Sequence, residues 1–162
     1  MLIKDDKKLV INGYTIIFNT NYEIERLGLE DNESDYFKCF ISASISLPDT
    51  QIDRYIESRV EKGDLQKRTE HNYDKKIMSS EGVEGSFLIM DRIVDGQISL
   101  QVVIPEKAVK SIHDDNSINE EEKKEKIQKT LEDLNDKVLI PELKSLFSII
   151  QEQTQSNAGT TR

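Results

Sequence analysis

The chain has 162 residues, of which 36% are apolar and 33% charged, and 22 basic against 31 acidic residues leave a net charge of −9. That length suits one domain with a single core, typically about 100–150 residues. The acid surplus speaks against nucleic-acid phosphates and anionic lipid headgroups as partners, and a lone cysteine excludes an intramolecular disulfide framework.

No apolar run of signal-peptide length follows Met1-Leu2-Ile3-Lys4-Asp5-Asp6-Lys7-Lys8, and no stretch approaches about 18 apolar residues. The expectation is a cytoplasmic protein with no membrane insertion. Leu9-Val10-Ile11, Asn12-Gly13 and Tyr14-Thr15-Ile16-Ile17-Phe18 predict a β-hairpin, because Asn-Gly takes the positive φ angles of a type I′ turn. Residues 19–32 are polar and read as a loop, with a short strand near 22–27. Residues 36–47 alternate: Phe37, Cys39, Ile41, Ala43, Ile45 and Leu47 share one face, and Lys38, Ser42, Ser44 and Ser46 the other. That period of two predicts a strand buried on one side, with Cys39 as a core residue rather than a reactive thiol.

Pro48-Asp49-Thr50 ends the strand and opens a helix, with Asp49 or Thr50 as cap and Asp53 in the first turn. Ile52, Tyr55, Ile56 and Val60 form its apolar stripe, and Gly63 stops it. A strand is expected over 71–78. Gly82 and Gly85 bracket a turn before a strand over 86–90. Arg92-Ile93-Val94, Asp95-Gly96 and residues 97–104 read as a second hairpin, with Ile98, Leu100, Val102 and Ile104 on one face and Pro105 closing it.

Ser117-x-x-Glu120 has the form of a capping box opening a charged helix with a thin stripe of Ile118, Ile127, Leu131, Leu134 and Val138. Pro141 kinks that helix or starts the next, whose stripe is Leu143, Leu146, Phe147 and Ile150. Residues 1–152 are expected to form a single domain, and 153–162 a disordered tail. The element order implies an α+β fold: an antiparallel sheet with helices packed on it.

Catalytic and metal chemistry has no sequence signature here. His71 and His113 lack an HxH or HxxxH partner, and Asp114 and Asp115 beside His113 do not supply convergent ligands. Glu120-Glu121-Glu122 with Lys123-Lys124 lacks the alternating acids and central glycine of a calcium loop. Asp5/Asp6 and Glu132/Asp133 have the spacing of exposed pairs, and Ser42, Ser44 and Ser46 sit in no GxSxG elbow. The reading is a non-enzyme with no cofactor and no metal.

Three segments resemble the DcrB/PsbP/Mog1-like fold. They are the early strand at 14–18; Ile41-Ser42-Ala43-Ser44-Ile45-Ser46-Leu47-Pro48 leading into Ile52-Asp53-Arg54-Tyr55-Ile56-Glu57-Ser58-Arg59; and Gly82-Val83-Glu84-Gly85-Ser86-Phe87 followed by 97–104. Residues 143–150 would be the closing helix. The chain is most similar to bacterial DcrB-type domains, including type VI secretion effector-associated chaperones. That resemblance implies a chaperone or adaptor that receives an apolar segment of its partner on a sheet face around Phe37, Ile41, Ile45, Ile98, Leu100 and Val102. The alternative is an immunity protein that neutralises a toxin through an acidic surface at Glu120, Glu121, Glu122 and Glu125. In both readings the partner is another protein, effector or toxin, and a homodimer is left open.

Overall fold

Gly13 takes a φ of +82°, a value open to glycine without steric cost, and reverses the chain between β1 (Leu2–Ile11) and β2 (Tyr14–Glu23). The two strands pair from Ile11↔Tyr14 out to Leu2↔Glu23. The structure is a computed structural model and describes residues 2–11, 13–23, 39–92 and 96–160. Both strands are longer than their apolar cores. Residues 19–21, expected as loop, stay extended because their backbone pairs with Ser42, Ile41 and Phe40. Residues 24–27 of the expected short strand, and Phe37 with Lys38, lie outside the described residues.

β3 (Phe40–Ser46) is flanked by β2 and by β7 (Gln97–Val103), and β7 by β6 (Glu84–Asp91). β5 (Asn72–Met78) and β4 (Gln66–Thr69) complete a seven-stranded antiparallel sheet of order β1-β2-β3-β7-β6-β5-β4. The β3–β7 ladder therefore joins an N-terminal three-strand meander to a C-terminal four-strand one. Register puts Ile16 opposite Ile45, Ile45 opposite Ile98, Ala43 opposite Leu100, and both Ile41 and Phe87 opposite Val102. With Phe18 and Ile89 these residues form one apolar face, and all are buried.

Four helices supply the other half of the core: α1 (Asp49–Glu61), α2 (Glu106–His113), α3 (Glu120–Leu134) and α4 (Ile140–Thr160). Ile52, Tyr55, Ile112, Ile127, Leu131, Leu134, Leu143, Leu146, Phe147 and Ile150 join the sheet residues in one cluster. The fold is α+β. Each fully buried aliphatic or aromatic side chain contributes about 1.5–3 kcal/mol. Cys39, 1% exposed, belongs to this core.

Local corrections have simple causes. α1 begins one residue early: Pro48 is its cap, and its carbonyl accepts from Gln51 and Ile52, so neither Asp49 nor Thr50 caps. Val60 is 42% exposed, and the fourth buried position on α1 is Arg59. Gly85 lies inside β6 rather than in a turn. β4 carries no apolar pattern, and α2 packs through a short stripe of Val109 and Ile112 over only eight residues; neither is among the expected elements. The capping box belongs to Asn119 and Glu122: the Glu122 N–H donates to Asn119 Oδ1 at 2.8 Å, while Ser117 instead donates to Asp115. α3 passes through a π-turn (Asn135–Leu139) directly into α4. Pro141 follows that turn. In a regular helix its ring would meet the carbonyl four residues back, and the wider turn relieves this. α4 continues to Thr160, through most of the segment expected to be a tail.

Candidate functional site

Of the six apolar residues expected to receive a partner, five are core. Ile45, Ile98, Leu100 and Val102 are fully buried and Ile41 is 7% exposed, beneath the chain's own helices. Their alternation reports a buried sheet face, and alternation alone cannot tell a partner's helix from a helix of the same chain. Phe37 lies outside the described residues. The opposite face carries Ser42, Ser44, Ser99 and Gln101, with Phe40, Leu88 and Met90 partly exposed and Ile17 exposed.

Glu120, Glu121, Glu122 and Glu125 are all exposed on α3. Two of them are engaged locally: Glu122 in the capping box, and Glu120 with Lys123 at 3.5 Å. Acids in the first turn suit the positive end of the helix dipole. Lys123 is itself buried, and the exposed Glu120 carboxylate pairs with its charge.

Two charge clusters fasten α1, one buried and one running from buried Asp91 out to exposed Asp53, and the sequence expectations include neither. In the first, Glu142 of α4 accepts from the Tyr55 hydroxyl at 2.8 Å and from Arg59 Nη2 at 2.6 Å, with Lys75 Nζ at 3.7 Å. Arg59 also meets Asp64 at 3.0 Å, and its buried Nε has no partner among the described residues. Burial, then the Glu142 charge, pushes the Tyr55 phenol well above its usual range. A signal was present. Arg59 falls on the stripe of Ile52, Tyr55 and Ile56, and Glu142 falls one residue before Leu143 and four before Leu146. In the second cluster Asp91, 1% exposed, is held by Arg92 at 2.7 and 3.0 Å, and Arg92 reaches Asp53 of α1 at 2.7 Å. Arg92 has a φ of +55°, an uncommon value outside glycine, at the end of β6.

A third brace joins the β5–β6 turn to α3. The Ser80 N–H and hydroxyl donate to Asp133 at 2.7 and 2.9 Å, which holds the Asp133 carboxyl below its ordinary value. Beside it, Val83, Pro105, Ala108, Ser111, Ile112, Lys107 and Lys126 line an open groove of about 290 Å³. His71 is exposed and His113 half-buried. Among the described residues no group of three His, Cys, Asp or Glu side chains is placed to hold a metal, and no helix is long and apolar enough to cross a membrane. No family model matches the chain, and no curated protein or solved structure is significantly similar to it.

Proposed function

We propose that this chain is a non-catalytic protein-binding protein of the secretion- or toxin-associated kind. Its partner docks on polar surface, as an immunity protein's toxin does. One observation carries this reading: the apolar residues that would receive a partner's segment are filled from within, whereas all four glutamates of the acidic alternative are exposed. Exposed charge steers association and makes it sensitive to salt. The PsbP/Mog1-like resemblance supports the same class through its protein-binding members.

The chaperone or adaptor is the second reading, favoured by Ile17, Phe40, Leu88 and Met90 on the sheet face away from the core cluster. In it, a partner's apolar segment lies across that opposite face. Capture from native lysate at low and at high salt, with the tagged chain as bait, separates the two. An immunity-type partner is released at high salt and by reversing Glu120, Glu121, Glu122 and Glu125 to lysine. A chaperone's client survives salt and is lost with Leu88→Asp. Absence of any specific partner under both conditions refutes the protein-binding class.

A further inference from the structure

Residues 120–160 form one helical run, interrupted only by the π-turn. On a regular α-helix, at 100° per residue, the mean direction of Ile127, Leu131 and Leu134 lies about 140° from that of Leu143, Leu146, Phe147 and Ile150. An uninterrupted helix would aim one stripe at the sheet and most of the other at solvent. All seven residues are nevertheless 4% exposed or less. The π-turn accounts for this. The Ile140 N–H donates to the Asn135 carbonyl five residues back. A turn closed that way holds one residue more than an α-turn, which rotates everything beyond it back by about 100°. The two stripes then lie about 40° apart, on one side of the run.

We infer that the π-turn is a one-residue insertion that sets the rotation of α4 and so delivers Glu142 to Tyr55 and Arg59. The same rotation places the Phe147 ring on Tyr14 of β2, at 5.6 Å between centroids. An α4 turned by a further 100° would carry the Glu142 carboxylate about 8 Å from its partners and leave Arg59 buried without its closest acid.

The test uses three variants of the full chain: deletion of Asp136 combined with Pro141→Ala, insertion of one alanine after Asp136, and Pro141→Ala alone. Asp136 is exposed, so its removal takes nothing from the core. Amide exchange across α4 and the ring-current shift of Phe147 are the readouts. The deletion variant, with a regular helix now in the right phase, keeps both, as does Pro141→Ala alone. The insertion variant loses the ring-current shift, and α4 protection falls at least 100-fold. Loss of α4 packing in the deletion variant but not in Pro141→Ala overturns the inference, as does retained packing in the insertion variant. If the insertion variant does not fold, the deletion variant decides.

Discussion

Arg59 and Glu142 are joined at 2.6 Å, with both side chains at least nine-tenths buried. Removing one member of such a pair strands the other charge, at a cost of about 3–5 kcal/mol. When Glu142 is removed, Asp64, 3.0 Å from Arg59, still pairs with it in part, so Glu142→Ala is expected to lower unfolding free energy by about 3 kcal/mol, the low end of that range, in urea titration. Tyr55→Phe, which removes one donor to a charged acceptor, should cost about 1.5–3 kcal/mol. Replacing Arg59 and Glu142 together by methionine and leucine should cost much less than Glu142→Ala alone, because no charge is stranded. Tyr55 also gives an alkaline signature. Its folded pKa lies above the unfolded value of about 10, so the native state keeps a proton that the unfolded chain releases. Stability is then full below about pH 10 and falls as pH rises beyond it. Chemical denaturation at pH 8 and 11 should show that fall in the wild type and a shallower one in Tyr55→Phe.

β6 passes close under α3 at Gly85. A Cβ on Gly85 would stand 2.9 Å from Leu134 Cδ1 and 3.0 Å from the Val103 carbonyl oxygen. Gly85→Ala is thus expected to destabilise by about 1–3 kcal/mol through overpacking. Leu134→Ala alone should cost about 2–5 kcal/mol as a cavity, and the double variant should lose less than the sum of the two singles, a coupling measurable in a double-mutant cycle. This contact also marks how far the sequence could be read. Alternation at 39–47 and 97–104 revealed the sheet face, and the Leu143 to Ile150 stripe revealed a packed helix, because burial on one side leaves a period. Gly85 carries no period, and glycine beside Gly82 reads equally well as a turn. β4 is exposed throughout, so its backbone pairing alone makes it a strand. Arg59 and Glu142 were hidden because charged residues are read as solvent-facing, even at stripe positions.

For the whole molecule, the division between core and surface decides which mutations inform on function. Ile98→Asp would put a charge at a fully buried position of the central strand. It is expected to abolish cooperative unfolding, and loss of partner capture in that variant would report misfolding. Charge reversal of Glu120, Glu121, Glu122 and Glu125 should instead leave most of the melting temperature intact, because all four are exposed. The cost it does carry comes from the cap and dipole contacts of α3, about 1–2 kcal/mol, and from buried Lys123, which loses its pairing with Glu120. Capture of an immunity-type partner should vanish in that variant while circular dichroism stays native-like.

The β3–β7 seam has a kinetic consequence. β1–β2–β3 and β4–β5–β6–β7 can each grow from neighbouring hairpins, but Ile45 reaches Ile98 only after the intervening chain has closed into a loop. That closure costs entropy before any seam contact rewards it. Zipping of the seam is thus the slow event, and Ala43→Gly, at its midpoint opposite Leu100, should retard refolding more than it hastens unfolding. A chain still being synthesised can complete its first meander, yet it must wait for residue 103 before the open backbone edge of β3 is fully paired.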